Sequence, residues 1–138
     1  MSCKPLDLLN LAKQLVPSTA KDSDVGSRCV ISRAYYATLH EIDASFEPLA
    51  GSELTDGSSH QKIIDRAERH GKSLVAGRTE AGQIAKFAQK LRRERNLADY
   101  QLDIDIAPDK ALDVLKSADR IFSLCAEVRS KRAKQQTE

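Results

Sequence analysis

The residues with the most evident chemistry crowd one stretch, Leu91-Arg92-Arg93-Glu94-Arg95-Asn96-Leu97-Ala98-Asp99-Tyr100. Read as a helix at ~100° per residue, Ile84, Ala88, Leu91, Ala98 and Leu102 share one apolar face. Arg95 falls on that face, where the pattern asks for an aliphatic side chain. Beside it, in angular order, come Asp99, Arg92, Asn96 and Tyr100, a polar band along the edge of the core stripe. Asp99 follows Arg95 by four residues and Arg92 by seven, so the three side chains can meet. An arginine drawn toward a core needs a partner, because an unpaired buried charge costs several kcal/mol. Two readings remain open: an internal Arg95–Asp99 salt bridge that fixes helix packing, or a polar strip that serves a cleft or a subunit interface.

A second polar line, Cys29, Arg33, Tyr36 and His40, runs along a segment that is otherwise apolar: Val30, Ala34 and Ala37, then Ile31, Tyr35 and Ile42, then Leu39 and Phe46. Two apolar helices that each carry embedded polar groups suggest a cleft lined by both, or an interface crossing both. Other chemistries find little support. His40, His60 and His70 lack metal-ligand spacing, so no metal site and no cofactor is expected. The phosphate loop GxxxxGK[ST], the serine elbow GxSxG and the zinc motif HExxH do not occur. Ser27 and Ser32 have no acid–base partner nearby in sequence.

The elements that must position these residues read as helices. Pro5 to Val16 has Leu8, Leu11, Ala12 and Leu15 at helical spacing, and Pro17-Ser18-Thr19 stops it. Ser23 or Asp24 can cap a second helix that runs to about Leu49. Ala50 to Ser59 is a Gly/Ser/Asp connector. A short helix spans about Ser59 to His70 and ends at Gly71. Thr79 caps a fourth helix that reaches about Gln101, with Gly82 in its second turn. Leu102 to Ile106 alternates like a strand but has nothing to pair with, so it reads as an extended link. Pro108 opens a last helix to about Lys134, with Ala111, Leu115, Ala118, Phe122 and Cys125 on one stripe. The expected fold is all-α: an antiparallel up-and-down bundle of four to five helices, one domain over residues 1–138.

Composition bounds the class. With 138 residues, 41% hydrophobic and 30% charged, the chain can bury a core and is neither a disordered nor a membrane protein. No apolar run approaches the ~18 residues of a membrane span, and Met1-Ser2-Cys3-Lys4-Pro5 lacks the apolar block of a signal peptide. Cys3, Cys29 and Cys125 are odd in number and far apart, which suits reduced thiols in the cytoplasm. A net charge of +2 is too small for a general nucleic-acid sponge, but its distribution is uneven. Lys86, Lys90, Arg92, Arg93 and Arg95 face only Glu94 within one stretch, and Asp99, Asp103, Asp105 and Asp109 follow. The basic run Arg129, Lys131, Arg132 and Lys134 reads as a solvated, fraying helix end over residues 129–138.

Four segments together carry a resemblance. Ser32-Arg33-Ala34-Tyr35-Tyr36-Ala37 with His40 resembles the second-helix signature of the HEPN domain (higher eukaryotes and prokaryotes nucleotide-binding). Ser59-His60-Gln61-Lys62 is similar to the family's short third helix. The Leu91–Tyr100 stretch resembles its fourth-helix motif in the branch that ends in Ala-Asp-Tyr, and Ala111 to Ala118 resembles the start of its last helix. The likeness covers about residues 25–129.

It implies a helical bundle that forms homodimers with the motif helices of two subunits facing each other. It also implies RNA as a partner. Many members are metal-independent endoribonucleases of toxin–antitoxin, phage-defence and RNA-processing systems. In them an Arg holds the scissile phosphate, and a His four to six residues on moves protons. Here Asp99 stands where the His would be, and no His follows the arginines. A solvated Asp with a pKa near ~4 is no general acid at neutral pH, and neighbouring arginines lower it further. The resemblance thus implies Arg92, Arg95 and Asp99 as catalytic candidates, with Asp99 a base or a holder of Arg95. Arg33, Tyr36, His40, Asn96 and Tyr100 are the binding candidates. Some family members carry a motif tyrosine modified by a partner nucleotidyltransferase, a role that would fall to Tyr100. The competing expectation is a non-catalytic helical dimer that partners or regulates such a nucleotidyltransferase or a defence complex.

Overall fold

A computed structural model describes residues 3–16, 24–46, 59–73 and 77–137, with side chains in all but 59, 70–73 and 135–137. They form five helices: α1 (Pro5–Leu15), α2 (Asp24–Phe46), α3 (Ser59–Ser73), α4 (Arg78–Tyr100) and α5 (Pro108–Thr137). Among the described residues there is no strand, and the all-α bundle is as expected. No described helix is long and apolar enough to cross a membrane. The Pro17–Thr19 stop, the Ser23 cap, the connector at 50–58 and the side chain of His70 lie outside what is described.

The spine of the bundle is α2, which touches all four other helices. It can do so because its buried positions surround the helix, with Val30, Ile31, Ala34, Tyr35, Ala37, Leu39, Ile42 and Phe46 all in the core. Against it α4 runs antiparallel, since Arg28 meets Ala98 and Tyr35 meets Arg95. The same helix runs antiparallel to α5, along which Glu94–Lys110, Lys90–Asp113 and Glu80–Lys131 pair in succession. Between α2 and α3 the contacts advance together instead, from Tyr35–His60 to Asp43–Arg66. The second of these is a buried ion pair, 2.5 Å long, that fixes α3 on the spine.

Several local expectations are corrected. The buried line of α1 is Leu9 and Ala12, while Leu11 is exposed and Leu8 and Leu15 are half-buried. The first helical residue of α4 is Arg78, preceded by Gly77 at φ +87°, a left-handed turn that suits glycine, so Thr79 sits inside the first turn and is no cap. Past Gly71, α3 continues to Ser73. Leu102 lies beyond the end of α4 and is 76% exposed, not on its core face. From residue 129 onward α5 stays helical, to Thr137. Arg129 donates to Glu41 Oε1 and Ser45 Oγ, both at 2.6 Å, and Arg132 donates to the Ser45 carbonyl at 3.1 Å.

The C-terminus of α4 is held by a residue whose role periodicity does not reveal. Arg28, buried at the start of α2, donates from Nη1 to the carbonyls of Leu97 (3.3 Å), Ala98 (2.9 Å) and Gln101 (3.1 Å), and from Nη2 to that of Ile104. Its Nε donates to Asp24 Oδ2 at 2.6 Å, and Asp24 Oδ1 accepts from the Ile106 amide at 2.5 Å. Those two bonds, Arg28's first, hold the Asp24 carboxyl below its ordinary range. Asp24 is therefore the first residue of α2 and a tie to the 101–106 link, rather than a simple cap.

Candidate functional site

Arg95 lies where the sequence put it, on the core side of α4, and is only 5% exposed. The expected salt bridge to Asp99 is present but long: Asp99 Oδ2 is 3.7 Å from Nη1, outside hydrogen-bonding distance. The nearer neighbours of Arg95 are neutral. Nη1 donates to the Tyr100 hydroxyl and Nη2 to His60 Nδ1, each at 3.2 Å. The guanidinium carbon sits 5.1 Å from the ring centre of Tyr35, and 5.5 Å from those of Tyr36 and Tyr100. All three tyrosines of the chain thus surround one arginine, within the range where a cation and a ring attract.

His60, at the start of α3, closes this group. Its ring stands edge-on to Tyr36 at 5.6 Å and tilted to Tyr35 at 5.7 Å, and the Tyr35 hydroxyl is 3.2 Å from Nδ1. Because a guanidinium only donates, Nδ1 must be the unprotonated nitrogen, and the ring proton lies on Nε2. Burial first, then the charges of Arg95 and Arg92, lower the His60 pKa, so the imidazole is neutral at neutral pH. Burial raises the Tyr35 pKa, with Arg95 pulling the other way. For Arg95 itself, burial works against the charge, but Tyr36, Tyr100 and Tyr35 outweigh it and raise the pKa.

Around this centre, Arg92 is half-buried and its Nη1 donates to Gln61 Oε1 of α3. Asp99 is half-buried and accepts from Ser32 Oγ at 3.3 Å, a partner that sequence distance hid. The Nε–H groups of both Arg92 and Arg95 are buried and find no acceptor among the described residues. The site is therefore rich in donors and short of acceptors.

The structure thus brings Arg92, Arg95, Asp99, Tyr36 and Tyr100 together and adds His60, Tyr35, Gln61 and Ser32. Arg33 stands apart from the arginine but lines, with Cys29, Tyr36 and Asp99, an adjoining hollow of about 420 Å³ whose apolar wall is Leu8, Leu11 and Val25. His40 and Asn96 are exposed and make none of these contacts. Among the described residues, no group of three or more His, Cys, Asp and Glu side chains could hold a metal ion. Sequence spacing could not find His60, which sits on another helix; the signal that existed was the Ser59-His60-Gln61-Lys62 segment.

Fold and site together define a helical bundle with a buried, aromatic-clad arginine beside a neutral histidine. No protein-family model matches the chain, and neither a curated protein nor a solved structure matches it.

Proposed function

We propose that this chain is an RNA-directed, HEPN-like protein whose Arg95–His60 centre cuts RNA without a metal ion, in the manner of the endoribonucleases of toxin–antitoxin or phage-defence systems. The observation that carries this reading is the pair of buried, acceptor-less Nε–H groups on Arg92 and Arg95 beside a neutral imidazole. A phosphate bound to the two guanidiniums draws Arg95 off His60 Nδ1, and once the Tyr35 hydroxyl, the other donor to Nδ1, also turns away, that lone pair is free. His60 then takes the proton of the ribose 2′-OH while the 2′ oxygen attacks phosphorus. The 5′ oxygen leaves and receives the proton back from His60, so the products are a 2′,3′-cyclic phosphate and a 5′-hydroxyl. Asp99 transfers no proton in this scheme; bound to Ser32 and near Arg95, it keeps the guanidinium in place. The test is incubation of the purified protein with RNA in excess EDTA, followed by end-group analysis. Cyclic phosphate ends are expected, and Arg95→Ala and His60→Ala should each abolish them. Cutting that vanishes with EDTA, or that survives His60→Ala at full rate, refutes the mechanism.

A second reading, a non-catalytic homodimer that serves a nucleotidyltransferase, draws on the exposure of Tyr100, 71% open with its hydroxyl held by Arg95. Val25, Leu11 and Leu102 are exposed as well, apolar surface that a second copy would cover. Both readings expect a dimer, and light scattering should return about twice the 15.2 kDa chain mass. Incubation with a nucleotidyltransferase and labelled ATP separates them: label on Tyr100 without RNA cutting supports the second.

A further inference from the structure

The side of α4 turned away from Arg95 carries a different arrangement. Gln83, Lys86, Phe87, Lys90 and Arg93 share one helical face and, with Arg120 of α5, line a hollow of about 380 Å³ that has no carboxylate in its wall. Lys86 and Arg93 also line the next hollow, about 300 Å³, together with Glu68 of α3. Glu68 in turn borders a third, of about 380 Å³, with Lys62, Asp65 and Arg69. Cations line all three from α5 across α4 to α3. Of these, Lys90 is paired, with Asp113 at 3.3 Å, whereas among the described residues no carboxylate pairs with Lys86, Arg93 or Arg120. The track also reaches the site already described. Asp65 accepts from Gln61 at 2.7 Å, and Gln61 is the acceptor for Arg92.

We infer that this track is a second binding surface, which holds the flanking single strand of an RNA whose scissile phosphate sits at Arg95. The inference rests on the RNA reading above and adds to it where the substrate lies. Unpaired cations on α4 and α5, continued by Lys62 and Arg69 of α3, suit a chain of phosphates better than a single anion. The half-buried Phe87, which lines the same hollow as Lys86 and Lys90 and packs by its other side on the core, offers the apolar ring on which an unpaired base stacks. An acidic peptide would use the charges but not the ring, which makes it the weaker candidate.

The test is fluorescence anisotropy with a labelled, 2′-O-methylated single-stranded RNA that cannot be cut, over a series of salt concentrations. The variant Lys86→Glu/Arg93→Glu/Arg120→Glu should bind at least about tenfold more weakly than wild type, and its salt slope should fall by about 2, at ~0.7 per phosphate contact for single strands. All three positions are exposed, so its melting temperature should stay near that of wild type. Phe87→Leu keeps the apolar volume and should weaken binding about fivefold with the salt slope unchanged. If wild type binds and the triple variant binds equally well, the track is refuted while the RNA reading stands. If wild type binds no RNA at all, both fall. Displacement of the RNA by polyglutamate as readily as by unlabelled RNA would also overturn the proposal, since the surface would then be a general anion sink.

Discussion

Replacing Arg28 by Met should loosen the end of the helix that carries the candidate site. The guanidinium supplies donors to four carbonyls, those of Leu97, Ala98, Gln101 and Ile104. They are not equally dependent on it: the Leu97 carbonyl also accepts from the Gln101 amide at 3.1 Å, and that of Gln101 receives the Ile104 amide at 3.5 Å. The bond to Ala98 is buried, and losing it leaves an acceptor without a donor, which costs about 1–3 kcal/mol. The other three are part-buried and can recruit water, so each contributes about 0.5 kcal/mol. The lost Nε bond to part-exposed Asp24 adds about 0.5 kcal/mol, and the sum of about 4 kcal/mol lowers Tm by roughly 10–15 °C for a domain of this size. Met retains the apolar stem, so the loss is that of the donors and not of packing. Arg28→Lys should recover only part of it, because one ammonium cannot fork across four carbonyls. Thermal melts followed by circular dichroism give the magnitude. Hydrogen exchange locates it, with the 101–106 amides expected to gain exchange before those of α2. A fall in Tm of less than about 2 °C, or exchange that rises evenly along the chain, would refute this account of how α4 is anchored.

Three further outcomes are expected. Arg95→Ala should lower Tm by several degrees, since it removes contacts to His60 and three rings, whereas exposed Arg93→Ala should stay within about 0.5 kcal/mol of wild type; equal melts would remove Arg95 from the centre of the site. Because the folded-state pKa of His60 is lowered, the unfolded chain binds its proton more readily, so the contribution of His60 is full above about pH 6.5 and is lost as pH falls below it. His60→Gln should flatten the fall in Tm between about pH 7 and pH 5, and an unchanged pH profile would count against the neutral imidazole. Burial pushes the Cys125 thiol up to about 12, while Cys3 and Cys29 are exposed. Iodoacetamide at about pH 8 should therefore label Cys3 and Cys29 in the native protein and Cys125 only after unfolding, as mass spectrometry would record.

The helical architecture was legible because apolar spacing alone determines it. The stripe Ala111, Leu115, Ala118, Cys125 is buried as its period requires, with Phe122 half-buried beside it. Ends were less legible, for an identifiable reason. The start of α4 depends on the left-handed turn at Gly77, and its end on Arg28, which is distant in sequence; neither leaves a periodic trace. A similar limit applies to the site. Arg95 stood out as a charge on an apolar face, and Asp99 and Tyr100 as its neighbours one turn on. His60, Tyr35 and Ser32 could not be reached from helical geometry, because contact between helices depends on packing direction, and α3 advances along α2 rather than against it.

The structure also bears on the choice between a packing and a chemical role for Arg95. A guanidinium kept for stability would be expected in bonding distance of a carboxylate, as Arg66 is to Asp43 at 2.5 Å in the same bundle. Arg95 instead keeps Asp99 at 3.7 Å and gives its Nη donors to a neutral imidazole and a phenol. An apolar side chain at this position would continue the Leu91–Ala98 surface without the desolvation of a charge, and such replacements are often neutral or stabilising. Folding alone therefore gives weak grounds for an arginine here. The bonds it does make are those an anion can exchange: the Nη2 bond to His60 is to a neutral group, and releasing it leaves Tyr35 as the remaining donor to the lone pair that a proton transfer needs.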